Sequence, residues 1–184
     1  MIIIDGGIAI MKDLKDYVRS IPDFPSKGII FRDITTILQD KDALKLAIDE
    51  MQKSLENVDF DVVVAAESRG FILGMPIAYN LNKAFVPIRK KGKLPYETIS
   101  ESYNLEYGTA TLEIHKDSIK PGQKVVVIDD LIATGGTIEA MIKLVERLGG
   151  KVVKVTCLID LPDLKGKERL KNYDISTVME FEGE

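Results

Sequence analysis

Val125-Val126-Val127-Ile128-Asp129-Asp130-Leu131-Ile132-Ala133-Thr134-Gly135-Gly136-Thr137 is the stretch on which the fold turns. Its apolar, valine-rich start suits a strand buried on both faces of a parallel sheet. Two acidic residues end that run, and Thr134-Gly135-Gly136-Thr137 makes a turn. Beyond it Ile138, Met141, Ile142, Val145 and Leu148 recur at helical spacing until Gly149-Gly150 stops the helix. A strand that passes through a tight turn into a helix is half of a strand–helix–strand unit. In open sheets of such units, ligands sit beyond the carboxyl ends of the strands. The acidic pair and the glycine turn therefore fall where a ligand would bind.

Working outward, the same alternation of periods repeats. Asp61 to Ala66, Ala84 to Ile88, Val152 to Leu161 and Tyr173 to Phe181 read as strands. Leu44, Ala47, Ile48, Met51 and Leu55 form one apolar helical stripe after Asp40, and a helix is predicted from Gly70 to about Leu81. Residues 164–170 read as a short helix, and Ala110, Leu112 and Ile114 alternate on a further strand. Leu14, Tyr17 and Val18 predict a helix over 12–20, stopped by Ile21-Pro22-Asp23-Phe24-Pro25. Residues 26–39 read as extended or turn-rich, and 94–108, without a clear period, as a long loop. The expected fold class is α/β, a parallel sheet with helices on both faces. Residues 1–10 read as an extension and 11–184 as a single domain.

A chain of 184 residues suits one ordinary domain. Hydrophobic residues at 45% and charged residues at 29% exclude a disordered or collagen-like chain. The net charge of −4 argues against a nucleic-acid partner held mainly by phosphate neutralisation. Cys157 is the one cysteine, so no intramolecular disulfide is expected; in its apolar run it reads as a buried core residue. The longest uncharged stretch, Gly70 to Asn82, is short and broken by Gly74 and Pro76, so no membrane span is expected. The apolar N-terminus lacks a basic region and is a poor signal peptide, which points to a cytoplasmic protein.

A turn rich in glycine and backbone N–H groups, opening a helix, is an anion cradle. Gly135 and Gly136 let the backbone approach a phosphate, and Thr134 and Thr137 add hydroxyl donors. Asp129 and Asp130 would repel a phosphate, and carboxylates accept hydrogen bonds from vicinal hydroxyls. A phosphate on one side and a diol on the other describe a ribose 5-phosphate. The spacing is neither Gly-x-x-x-x-Gly-Lys nor Gly-x-Gly-x-x-Gly. Without such a ligand the same residues would be a helix start with two solvent-exposed aspartates.

The stretch Val126 to Thr137 resembles the 5-phosphoribosyl-1-pyrophosphate (PRPP) signature of type I phosphoribosyltransferases. Ile21-Pro22-Asp23-Phe24-Pro25 with Gly28-Ile29-Ile30-Phe31-Arg32-Asp33-Ile34 is similar to the base-binding hood of the adenine phosphoribosyltransferase family. So are Glu67-Ser68-Arg69-Gly70-Phe71, Arg89-Lys90-Lys91-Gly92-Lys93-Leu94-Pro95 and Leu105-Glu106-Tyr107-Gly108. The resemblance runs from about Met11 to Phe181. It implies adenine and PRPP as substrates, AMP and diphosphate as products, and Mg2+ bound mainly through diphosphate and water, with no direct protein ligand. It also implies a homodimer.

By that resemblance Ala133, Thr134, Gly135, Gly136 and Thr137 hold the 5-phosphate, and Asp129 and Asp130 the ribose hydroxyls. Ser68, Arg69 and Gly70 form a diphosphate loop, joined by Arg89, Lys90 and Lys93. Ile30, Phe31 and Arg32, in a hood of about 11–39, read the base. Residues of about 94–108 form a lid, in which Glu106 handles a proton and Tyr107 closes over diphosphate. By residue type alone, the basic cluster is also a solvated sheet edge, Phe31 a core aromatic, and Glu106-Tyr107 an ordinary loop pair. His115, among charged neighbours, reads as an exposed turn residue. The rivals on this fold are a transferase for another purine and a PRPP-sensing regulator; a generic phosphate-binding α/β protein is a third. The acidic charge and the absence of a spare module before Met11 count against the regulator.

Overall fold

The structure, a computed structural model, describes Ile2–Ile4, Gly7–Ala9 and residues 13–104 and 108–183. It divides into two compact units, Met1–Asp49 and Glu50–Glu184.

In the first unit β1 (Ile2–Ile4) pairs antiparallel with β2 (Gly7–Ala9). The helix expected over 12–20 is only a 3-10 turn, Leu14–Tyr17, capped by the Asp13 carboxylate on the Lys15 N–H. Val18 is already extended, and β3 (Arg19–Pro22) pairs antiparallel with β4 (Ile30–Asp33). Ribbon pairing overrides the weak helical spacing there. Within 26–39 the extended or turn-rich expectation holds through the turn at 26–28 and β4, and gives way to helix from Thr35. Asp33 then accepts the Thr35 N–H at 2.9 Å and starts α1 (Thr35–Gln39). Asp40 does the same for α2 (Lys41–Lys53), taking the Asp42 and Ala43 N–H groups at 2.9 and 3.0 Å. Helix α2 runs across the boundary between the units. Of its predicted stripe, Ala47, Ile48, Met51 and Leu55 are buried and Leu44 half-buried.

The second unit is a sheet of seven strands. In chain order they are β5 (Val62–Ala66), β6 (Ala84–Lys90), β7 (Thr98–Asn104), β8 (Thr109–His115), β9 (Lys124–Ile132), β10 (Lys151–Asp160) and β11 (Ile175–Glu180). The spatial order is β11-β10-β9-β5-β6-β8-β7. Neighbours from β11 to β6 are parallel, and β6-β8-β7 are antiparallel. The expected parallel α/β sheet is present, with an antiparallel ribbon added at one edge.

Helices cover both faces. Helix α4 (Gly136–Arg147) packs Ile138, Met141, Ile142 and Val145 on Val62, Val64, Val125 and Val127. Helix α3 (Arg69–Asn80) lies on the other face, where Gly74 comes so near that a Cβ there would be 3.2 Å from the Ala65 Cβ and 3.1 Å from the Phe85 ring. A last short helix, α5 (Gly166–Arg169), follows the 3-10 turn Pro162–Leu164. Among the described residues no helix is long and apolar enough to cross a membrane.

The long loop expected over 94–108 is corrected in part: Thr98–Asn104 is strand β7, in register with β8 from Thr98↔His115 to Asn104↔Thr109. Ile99 and Tyr103, two apolar side chains an even number apart, pack on the core and hold the strand down. Strand β9 also runs further than expected, through the acidic pair to Ile132.

Gly74→Val should overpack the seam between α3 and β5. A loss of about 1–3 kcal/mol of unfolding free energy is expected, measured by chemical denaturation.

Candidate functional site

At the carboxyl ends of β5 and β9 the second unit has a cleft of about 240 Å³. Its lining includes Glu67, Ser68, Arg69, Tyr103, Asp129, Asp130 and the whole run Ala133 to Thr137. Residues far apart in the chain meet here because β5 pairs directly with β9, with Val64 beside Val127.

Asp129 and Asp130 are both nearly buried, at 7% and 5% exposure, which corrects the alternative of two solvent-exposed aspartates. Burial pushes the Asp129 carboxyl well above the usual carboxylate range, and the neighbouring charge of Asp130 pushes it further. Asp130 is raised by burial too, and the Arg69 charge partly offsets this. Arg69 Nε stands 2.9 Å from Asp130 Oδ2, off the hydrogen-bond axis, so among the described residues that oxygen is buried with no hydrogen-bond donor. Asp129 Oδ1 accepts the Asp130 N–H at 3.0 Å. Gly70 makes this grouping possible: a Cβ there would lie 3.0 Å from Asp129 Oδ1 and 3.3 Å from the Ile128 carbonyl. A side chain at 70 would press on Asp129 Oδ1 and the Ile128 carbonyl, which would have to give by a few tenths of an ångström.

Opposite the carboxylates, Gly135 has a left-handed backbone, φ +79, and no side chain caps α4. The first N–H groups of a two-turn or longer helix are then open to an anion, with the positive end of the helix dipole behind them. One wall of the cleft is thus a cradle for negative charge, and its floor is a pair of hydrogen-bond acceptors. A ligand matching both carries an anionic group and hydroxyls.

The other predicted residues are placed differently. Arg89 ion-pairs with Glu67 (Nε to Oε2, 2.6 Å) and donates Nη1 to the Lys93 carbonyl at 3.1 Å. It is one side chain removed from the cleft, while Lys90 and Lys93 are exposed and do not line it. Ile30, Phe31 and Arg32 lie on β4 of the first unit. There Phe31 meets Phe24 edge-on, with ring centroids 5.2 Å apart, and Arg32 Nη1 donates to Ser20 Oγ at 2.7 Å. Glu106 and Tyr107 lie outside the described residues. Cys157 is buried as expected, and burial raises its thiol. His115, expected to be exposed, is half-buried with Nε2 enclosed, and its ring faces Tyr96.

Among the polar lining residues, Tyr103 and Glu67 have no role assigned from the sequence. Tyr103 reaches the cleft from β7, and the spacing of Ile99 and Tyr103 was the sequence signal for it. Glu67 stood in a quoted motif, but only the β5–β6 neighbourhood shows its pairing with Arg89.

The family model for the phosphoribosyl transferase domain matches residues 33–183. Adenine phosphoribosyltransferase of Lachnoclostridium phytofermentans is 68% identical over 173 residues, 94% of this chain and 99% of that protein. The crystal structure of the Thermoanaerobacter pseudethanolicus adenine phosphoribosyltransferase superposes with a TM-score of 0.89 at 52% identity, covering 91% of this chain and 98% of the other. The Saccharomyces cerevisiae adenine phosphoribosyltransferase, solved with an imino-altritol bisphosphate and adenine, gives a TM-score of 0.84 at 37% identity over 90% and 96% of the two chains.

The buried carboxylate gives a pH-dependent stability of definite sign. Folded Asp129 holds its proton above the unfolded value of about 3.9, so stability falls as pH rises from there through the raised folded value. Asp129→Asn removes that penalty and still accepts the Asp130 N–H. Its melting temperature should exceed that of the wild type at neutral pH, and the gap should close as pH falls toward about 4, measured by thermal denaturation across pH.

Proposed function

The chain belongs to the phosphoribosyl transferase family, among its adenine phosphoribosyltransferases, and on that premise we propose that it transfers the 5-phosphoribosyl group of PRPP to adenine, giving AMP and diphosphate. The observation that carries the assignment is the buried Asp129–Asp130 pair, one oxygen lacking a hydrogen-bond donor, facing the uncapped start of α4. Ribose hydroxyls supply the donors the carboxylates lack, and the 5-phosphate takes the cradle of Ala133 to Thr137.

Diphosphate departs from ribose C1 and adenine N9 attacks there, through an oxocarbenium-like state akin to that of glycoside cleavage. The carboxylates, already desolvated by the fold, stabilise a ribose that becomes positive in that state. Ser68, Arg69 and Gly70 bound the diphosphate side, with Arg89, Lys90 and Lys93 as the more distant basic group. Among the described residues no group of three or more acidic, histidine or cysteine side chains could hold a metal ion, so Mg2+ would be bound mainly through diphosphate and water, with no direct protein ligand. When bound, Mg2+ neutralises charge on the leaving group. Ile30, Phe31 and Arg32 read the adenine edge and face. Glu106 accepts or relays the proton that adenine loses, and Tyr107 belongs to the same lid.

We propose a homodimer, with Ile72, Met75 and Tyr79 of α3, exposed at 43%, 50% and 84%, as its apolar face. A cytoplasmic site of action belongs to the same proposal.

Incubation with PRPP, Mg2+ and each nucleobase in turn should yield AMP from adenine and little product from hypoxanthine or guanine. Their 6-substituents accept where adenine donates, and such mismatches discriminate by orders of magnitude. Comparable turnover of hypoxanthine would overturn the base assignment. Asp129→Asn with Asp130→Asn should fold and lose about 2–4 kcal/mol of transition-state stabilisation, a ~30–1,000-fold drop in kcat/KM.

Glu106→Gln keeps shape and loses basicity, so kcat should fall ~10²–10⁴-fold with PRPP affinity nearly unchanged. Steady-state kinetics with full activity in this variant would assign the proton to another group or to water.

A further inference from the structure

The turn that begins α5 lies directly under the phosphate cradle. Gly166 is buried, and a Cβ built on it would stand 2.2 Å from the Ala133 carbonyl oxygen, 2.7 Å from Ile132 Cγ1 and 3.0 Å from the Gly135 nitrogen. The contact is reciprocal, since a Cβ on Gly135 would stand 3.0 Å from the Gly166 carbonyl oxygen. The partners at Ala133, Gly135 and Gly166 are backbone atoms, which cannot swing aside as a long side chain does. Gly166 is the first residue of a right-handed helical turn, a conformation that alanine adopts readily. Glycine is therefore required at 166 for space and not for backbone freedom.

The turn is also tied down on either side of the cradle. Arg169 donates Nε to Glu139 Oε2 at 3.0 Å and Nη2 to the same oxygen at 2.5 Å, in the first turn of α4. Lys167 Nζ lies 2.7 Å from the buried Asp160 carboxylate at the end of β10, and it also reaches Thr177 and Glu180. Leu170, the next residue, is part of the core.

We propose that Gly166 is a positioning residue for PRPP: its missing side chain sets the height of the Ala133–Gly135 backbone, and so the aim of the α4 N–H groups at the 5-phosphate. The inference rests on the PRPP assignment made above. The 5-phosphate lies away from the reacting C1, so a displaced cradle weakens ground-state and transition-state binding alike. That signature is a raised KM with kcat nearly preserved.

Gly166→Ala should raise the KM for PRPP about tenfold or more, since displacements near 1 Å at a bound group carry effects of that order. The KM for adenine and kcat should change far less, and circular dichroism should match the wild type. Arg169→Gln, which loosens the tie without adding volume, should shift the PRPP KM in the same direction by less. It decides the matter if the alanine variant does not fold. A PRPP KM within about twofold of wild type in the folded alanine variant, or in Arg169→Gln where that one does not fold, would overturn the inference and leave the PRPP assignment standing. Wild-type protein that forms no AMP from adenine and PRPP would overturn both.

Discussion

Two adjacent carboxylates held out of water at the end of a buried strand set the terms for the rest of the second unit. Asp129 and Asp130 repel one another, and the fold has removed most of the solvent that would screen them. Among the described residues one positive group, Arg69, stands against Asp130. Gly70, without a side chain, lets the start of α3 lie close on the end of β9. The arrangement is costly to the folded state, as buried charge generally is. Among the described residues it leaves one buried oxygen of the pair, Asp130 Oδ2, without a hydrogen-bond donor.

The sheet makes that position rigid. Strand β9 lies between β5 and β10, and Val125, Val126, Val127 and Ile128 are wholly buried. Close packing on both faces leaves the strand end little freedom to relax away from the charge. The antiparallel ribbon of β7 and β8 adds a wall. It is anchored where Glu113 accepts the Gly92 N–H at 2.9 Å and where Arg147 and Lys143 of α4 meet Glu101 of β7. Those last pairs are partly exposed, so each adds little to stability. Their effect is geometric: they hold the strand carrying Tyr103 against the helix whose start forms the anion cradle.

Much of this was legible in the amino-acid sequence by itself. The valine run before Asp129, the stripe from Ile138 to Leu148 and the glycines between them determine a strand, a turn and a helix through local sterics and hydrophobic periodicity. The binding end of the sheet follows from that order. Ser68, Arg69 and the run Ala133 to Thr137, far apart in the chain, line one cleft. Tertiary structure alone decided what local patterns do not encode. Ribbon pairing made Arg19–Pro22 a strand and left only a 3-10 turn at Leu14–Tyr17 of the expected helix, and core packing of Ile99 and Tyr103 drew 98–104 out of the loop. Arg89 pairs with Glu67, one side chain removed from the cleft. The burial of Asp129 and Asp130, and the seat of the cradle on Gly166, depend on backbones distant in sequence approaching within van der Waals contact. Such approaches are properties of packing, and residue spacing along a chain carries no record of them.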